Sequence, residues 1–484
     1  MISRHFVDVV DATSGALRRV HYRKCGSGPP LLLVHQSPRS GGEYEGVMAR
    51  WAAHFTCYAP DSPGFGDSAP LHKADPQVED YADAALGFLD AMGLPQVGAY
   101  GFHSGAIILV TAVKRAAHRF SALACGGYAV WSEAEKADFG ANYTPAFLPL
   151  PYGEHLAWLW GRILEQSWFF PWYRADDAAR LPMANDDPGK VHPIVMEVLA
   201  AGDSFRLGYA AVLRANRDVP GPGVATPPVL LSAYQGDPLA AHLARLGTLP
   251  PNWRAEGVAT PDELEALALA HLRAHPAACA ATAVEVADEG FVPVAAAGFD
   301  GLIHWRGNGE VLHLHAPGGA ASAFGVEALA VDLPGHGLSG DWDGAPESLA
   351  DWAEVVAAAV AALGVAVRSV EGRGWSVRLA AAVAARLGVG PVAAADPKGA
   401  VAEWRAQGLP DLVPDRFGGH LQRGWQMLRA ETFFEPWFAA SAATARAFDV
   451  AEATPEALAV RHLALMRARA ARPLLNACLD AAGG

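Results

Sequence analysis

The residues best placed to do chemistry stand where an apolar run ends. Val97-Gly-Ala-Tyr100 is followed by Gly101-Phe-His-Ser-Gly105 and then by a helical stretch. Small residues two before and two after a central position describe a tight strand-to-helix elbow, which lifts the central side chain above a sheet. Here the small residues are Gly101 and Gly105, so the central side chain is His103 rather than Ser, Cys or Asp. Imidazole titrates near neutral pH, so His103 could act as a general base toward water. It could instead carry a group covalently on a ring nitrogen. The third reading is a non-catalytic His in an eroded or ligand-binding site. Centring the elbow on Ser104 would offer a hydroxyl nucleophile, but Phe102 would then sit where a small residue is needed.

Other polar residues carry two readings each. His35-Gln36-Ser37-Pro38-Arg39 follows the apolar run Leu31–Val34. Arg39 could hold a carboxylate bidentately or brace its loop. His35 reads as a loop brace. Asp61 and Asp332 each begin a Pro-Gly-x-Gly turn, where an Asp side chain caps turn N–H groups. His155, Trp158, Trp160, Trp168 and Trp172 sit at helical spacing, as core or as the wall of an apolar pocket. No HExxH, CxxC, Walker A or GxGxxG unit with its acid stands out, so neither a metal nor a cofactor is expected.

The elements that must position these residues alternate. Short buried strands (Leu31–Val34, a run ending at Ala59, Val97–Tyr100, Pro228–Leu231) are separated by helical segments such as Tyr81–Met92 and Asp262–His275. That predicts a parallel, doubly wound sheet covered on both faces. From about residue 140 to 220 the pattern turns helical and Trp-rich, a helical cap.

After Cys279 the pattern begins again. Asp61-Ser-Pro-Gly-Phe-Gly-Asp-Ser68 matches Asp332-Leu-Pro-Gly-His-Gly-Leu-Ser339 at an offset of 271. Gly101–Gly105 faces Gly372–Ser376 at the same offset, and the run through His35 faces that through His315 at 280. In the cap, His155/His420, Trp160/Trp425 and Trp172/Trp437 recur at 265. We expect a tandem duplication: residues 1–280 a complete unit, and 281–484 a degenerate, truncated copy with its cap at about 400–484. Its elbow centres on Gly374, which has no side chain to react, and nothing follows Trp437 that matches Pro228–Leu231 or Asp237. The open edge beside Pro391–Ala395 should be covered by the first unit, by the terminal helix or by a second chain.

Composition sets outer bounds. The 484 residues are too many for one ordinary α/β unit of about 250 and few for two. Net charge is −14 and no Lys/Arg run occurs, which argues against nucleic acid and anionic membranes as partners. Cys25, Cys57, Cys125, Cys279 and Cys478 are scattered and odd in number, unlike a disulfide framework. No signal peptide or membrane span is visible, so a cytoplasmic location is expected.

Taken together, the strand into His35-Gln36-Ser37, the turn Asp61-x-Pro-Gly-Phe-Gly, the elbow and the helical cap resemble the α/β-hydrolase superfamily. More narrowly they resemble uncharacterised members with His-x-Ser-Pro-Arg-Ser, an elbow Gly-x-His-Ser/Thr-Gly, and a Gly-x-His-Leu…Phe-x-Pro-Trp cap. The resemblance covers about residues 20–275, and 290–480 in degenerate form. It implies a nucleophile–acid–His triad, from which this chain departs. His103 holds the nucleophile position, and no His stands near Gly257–Pro261 where the late triad His belongs. The acid position is filled by Asp237, with Glu133 as an alternative. The resemblance also implies an oxyanion hole from the N–H groups of Ser37 and Ser104.

The expected function is a hydrolase-like enzyme for a small, partly apolar ester, amide or related carbonyl substrate. His103, Asp237 and Ser104 are its candidate catalytic residues. Gln36, Ser37, Arg39, His155 and Trp160 are candidates for oxyanion or substrate binding. A catalytically inactive ligand-binding or interaction protein, and a lyase or oxygenase using a His base, stay open. So does a homo-oligomeric state.

Overall fold

The structure, a computed structural model, describes residues 2–12, 14–182, 184–215, 219–221, 223–278, 288–346 and 348–483. The chain forms two compact units. One comprises residues 1–148 and 159–286, the other residues 149–158 and 287–484. The boundary expected at residue 280, and Cys279, lie outside the described residues. The other four cysteines are buried free thiols. Among the described residues no helix is long and apolar enough to cross a membrane.

The first unit is built on one eight-stranded sheet: β1 (Ser3–Val10), β2 (Leu17–Cys25), β3 (Pro30–Val34), β4 (Thr56–Pro60), β5 (Val97–Phe102), β6 (Phe120–Gly126), β7 (Val229–Tyr234) and β8 (Trp253–Val258). The spatial order is β1-β2-β4-β3-β5-β6-β7-β8. From β4 through β8 every pairing is parallel. The expected all-parallel sheet is corrected at one edge, where β1 and β2 form an antiparallel hairpin and β2 runs antiparallel to β4. These two strands alternate apolar with charged residues, as in Leu17-Arg-Arg-Val-His-Tyr-Arg-Lys-Cys25, so they carry no continuous apolar run. Central β3 does carry one: Leu31, Leu32 and Leu33 are fully buried, each worth roughly 1.5–3 kcal/mol.

Helices α1 (Glu45–Trp51), α2 (Val78–Ala91) and α3 (Ser104–Ala116) connect the first strands. Between β6 and β7 stand α4 (Glu133–Asn142), α5 (Glu154–Gln166), α6 (Pro188–Ala201) and α7 (Ser204–Leu213). The residues of α5 up to Trp158 group with the second unit, the rest with the first. Helix α8 (Pro261–Ala274), capped by the Thr260 hydroxyl, follows β8.

Among the described residues the second unit has six strands: β9 (Glu289–Ala296), β10 (Phe299–Arg306), β11 (Val311–Leu314), β12 (Ala330–Val331), β13 (Ser369–Gly372) and β14 (Gly390–Pro391). Their order, β9-β10-β12-β11-β13-β14, repeats the first six strands of the first unit. Its helices are α9 (Leu349–Leu363), α10 (Ser376–Leu387), α11 (Val401–Gln407), α12 (Gly419–Phe433), α13 (Pro455–Met466) and α14 (Ala471–Gly483). Only a short 3-10 turn, Ala321–Ala323, stands between β11 and β12, where the first unit has α1. Beside the edge expected to be covered at Pro391–Ala395, residues 390–396 are exposed in this chain. The strand shrinks to two residues and includes a proline, which leaves little ladder to pair with.

Both units carry the same polar bracing. Asp61 Oδ2 bonds His21 Nδ1 at 2.9 Å and accepts the Asp67 N–H, while Oδ1 accepts the Gly41 N–H. Asp332 does the same with His304 Nδ1 at 2.8 Å and the N–H groups of Leu338 and Ala321. His35 Nε2 accepts the Ser62 N–H at 2.8 Å, and His315 Nε2 accepts the Leu333 N–H at 3.0 Å. Burial alone would raise the Asp61 carboxyl, but His21, Arg23 and the Asp67 N–H outweigh it and hold it well below the usual carboxylate range. His21, Asp61 and Asp67 bring ligand atoms within 4.8 Å of one another. Arg23 already meets Asp61 at 3.2 Å and Arg4 meets Asp67 at 3.5 Å, so this charge is balanced from within.

Candidate active site

Strand register gathers the site. Val34 pairs with Gly101, Phe102 with Gly126, and Gly126 with Ser232. The loops after β3, β5, β6 and β7 therefore leave the sheet side by side, at the carboxyl ends where open α/β sheets bind ligands. At the elbow a β-carbon on Gly105 would lie 1.9 Å from the Val34 carbonyl oxygen, and one on Gly101 would lie 2.6 Å from the Gly105 carbonyl carbon. Only glycine lets strand and helix approach this closely. The central His103 takes φ 46° and ψ −109°, a left-handed conformation that costs a side-chain-bearing residue.

The His103 ring stacks on Phe102 with centroids 4.1 Å apart. Its Nε2 lies 3.1 Å and 3.3 Å from the two carboxylate oxygens of Asp237. The Asp237 side chain is fully buried, while that of His103 is 24% exposed. Asp237 Oδ1 also accepts the Leu239 N–H at 2.8 Å, which fixes the carboxylate on the turn after β7. A carboxylate only accepts, so the ring proton belongs on Nε2 and the lone pair on Nδ1. Among the described residues Nδ1 has no hydrogen-bond partner.

The imidazole faces a cavity of about 240 Å³. Its walls include Trp131, Tyr143, Phe170, Tyr209 and Tyr234, with Gln36, Ser37 and Gln166 as polar groups. The hydroxyls of Tyr143 and Tyr209 meet at 3.2 Å. Apolar walls around a few polar groups suit a small, partly apolar ligand.

Ser104 sits beside this dyad without joining it. Its Oγ accepts the Ser37 N–H at 3.2 Å. One expected oxyanion donor is thus turned onto Ser104, while the Ser104 N–H is the first of α3 and free of any helical acceptor. Gln36 lines the cavity and donates Nε2–H to Glu43 at 3.2 Å, and burial pushes the Glu43 carboxyl up to about 7.

Three expected binding residues do not line this cavity. Arg39 does not line the cavity; its guanidinium pairs with Glu197, which also accepts the Ser40 hydroxyl at 2.7 Å. His155 groups with the second unit, where Nδ1 accepts the Leu150 N–H at 3.1 Å and the ring packs on Trp425. Trp160 is buried core, outside the cavity wall. The alternative acid Glu133 begins α4 with its side chain 89% exposed.

Sequence reasoning missed Gly127 and the wall. A β-carbon on Gly127 would lie 2.2 Å from Cδ2 of His103 and 2.8 Å from Asp237 Oδ2. The available signal was the pair Gly126-Gly127 ending a strand next to the elbow strand. His242 was also overlooked. It stands against Trp131 and accepts the Val130 N–H at 2.9 Å, and burial pushes it down to about 4.

The family model described as the alpha/beta hydrolase fold matches residues 29–256. The first unit is an α/β-hydrolase fold. Haloalkane dehalogenase 2 of Mycobacterium tuberculosis is 34% identical to the chain over 99 residues, 20% of this chain and 35% of that protein. A soluble epoxide hydrolase of Corynebacterium is 36% identical over 88 residues, 18% of this chain and 30% of its own. The chain thus spans about a third of the length of these curated relatives. Among solved structures, a Vigna radiata epoxide hydrolase mutant is 17% identical with a TM-score of 0.44, covering 56% of this chain and 99% of that one. Within this α/β-hydrolase fold, His103 and Asp237 stand on two of the loops that line the cavity.

Proposed function

We propose that the first unit hydrolyses a small, partly apolar ester, amide or related carbonyl compound, with His103 as general base and Asp237 as its orienter. Nδ1 takes a proton from a water molecule as the water oxygen attacks the carbonyl carbon. The new oxyanion is held by the Ser104 N–H and by the Ser37 N–H, which leaves Ser104 Oγ to reach it. Collapse of the intermediate breaks the bond to the leaving group, which takes the proton back from Nδ1. The observation that carries this reading is the His103–Asp237 pair at 3.1 Å, with Nδ1 unpartnered and the ring facing a cavity. The match to the alpha/beta hydrolase fold and a relative named as an epoxide hydrolase support hydrolytic chemistry.

The test is turnover of p-nitrophenyl acetate and butyrate. His103→Ala and Asp237→Asn should each lose at least about 10²-fold, the usual scale for a general base. Ser104→Ala should stay within about tenfold, and a fluorophosphonate probe should not label the protein. Labelling at Ser104, with activity lost in Ser104→Ala, would move the nucleophile to that hydroxyl. A second reading is favoured by the elbow having no hydroxyl, thiol or carboxylate at its centre. It is a non-hydrolytic lyase or oxygenase in which the His base acts alone, and turnover without ester cleavage would select it.

We also read the second unit as a copy of the first. Its repeated strand order and its matching Asp–His bracing support this. So does a pair of cap hydrogen bonds 265 residues apart, Trp172 Nε1 to the Tyr143 carbonyl and Trp437 Nε1 to the Gly408 carbonyl, both 3.2 Å. With Gly374 at its elbow, the copy has no dyad.

A further inference from the structure

The second unit lacks the dyad yet keeps a cleft where the dyad would stand. At the offsets given above, Phe102 and His103 correspond to Arg373 and Gly374, and Tyr143, Gln166, Phe170 and Leu181 to Gly408, Glu431, Glu435 and Arg446. All six first-unit residues line the cavity of the dyad, and all six counterparts line a cavity of about 430 Å³ in the second unit. A neighbouring cavity of about 540 Å³ shares Arg373, Met427, Arg446 and Arg461 with it. The place is kept, and its chemistry is replaced. The imidazole and its stacking phenyl ring have given way to Gly374 and the Arg373 guanidinium, beside a wall that is still aromatic.

Only one pair of these charges closes in place among the described residues. Arg461 is taken, pairing with Glu431 at 2.6 Å and donating to Thr432 Oγ1 at 2.8 Å. Glu435 accepts the Lys398 N–H, and Glu452 lines the larger cavity. Arg373 donates to the Ala323 carbonyl at 3.0 Å and lies over the Phe324 ring, 4.1 Å from its centroid. Neither Arg373 nor Arg446 has a carboxylate partner among the described residues. Both line both cavities. Two such groups beside one space suit a planar anion with two oxygens. Trp375, Trp404 and Trp437 on the same wall suit an apolar or aromatic body.

We infer that the second unit is a non-catalytic binding site for an organic carboxylate, held by Arg373 and Arg446 with its body on the tryptophans. The inference does not depend on the hydrolase reading of the first unit. Isothermal titration of the full chain with benzoate, phenylacetate and octanoate tests it, with phenylacetamide as the neutral control. The carboxylates should bind at least tenfold tighter than the amide. Arg373→Gln and Arg446→Gln should each weaken them at least tenfold, and His103→Ala should leave their affinity unchanged. Both arginines are exposed, so the variants should fold, which circular dichroism checks. Three results would each overturn the inference: no binding of any carboxylate, equal binding of the amide, or binding lost in His103→Ala and kept in both Arg variants.

Discussion

An atom that Gly127 does not have keeps the dyad together. Its φ of +57° is already unfavourable for alanine, and a β-carbon there would overlap the His103 ring. Gly127→Ala should therefore cost about 1–2 kcal/mol of stability from the backbone. It should also lower ester turnover toward that of His103→Ala, because the ring can no longer reach Asp237. Denaturant melts and steady-state rates on the same preparation check both; unchanged rates would mean that the dyad is not used. At this scale the sequence was informative where backbone geometry dictates residue type. Gly101 and Gly105 announced the elbow, and Gly236-Asp237 announced the acid turn. It was silent where a partner lies far along the chain. Nothing near Arg39 foretells Glu197, 158 residues away, and nothing in α4 or α7 marks Tyr143 and Tyr209 as a pair.

Among elements, the buried Asp–His braces tie the hairpin to the parallel strands in each unit. His21 and His304 lie on the second strand of their sheets, and the aspartates follow the fourth. Asp61→Asn should destabilise the first unit by roughly 3–5 kcal/mol, because it removes the buried carboxylate that His21 and Arg23 bond and leaves Arg23 only the half-exposed Glu45 as its counter-charge. The first melting transition in calorimetry should fall, and a shift below 1 kcal/mol would show the brace to be incidental. The hairpins themselves were hidden from sequence reading. The strands of the first alternate apolar with charged residues, and those of the second are interrupted by Gly290, Pro293 and Gly301. The parallel strands were legible because both of their faces are covered.

Acid should be the weakness of the molecule as a whole. Burial pushes His155, His242, His271 and His462 down to about 4, and His336 to about 3. In the unfolded chain these groups protonate near 6.5. Between those values the unfolded state binds more protons, so stability is full above about pH 6.5 and is lost as the pH falls toward 4. Each such histidine removes up to about 1.4 kcal/mol per pH unit in that window. Thermal melts at pH 7.5, 6 and 5 should show a falling Tm, and a flat profile would contradict it.

The left-handed elbow has one more consequence. Position 103 keeps a β-carbon at φ 46°, and position 374 holds a glycine at φ 54°. The difference is worth on the order of 1–3 kcal/mol to the folded chain. Folding alone would favour glycine at either position, so the first unit carries the His103 side chain at a cost in stability that the second unit does not bear.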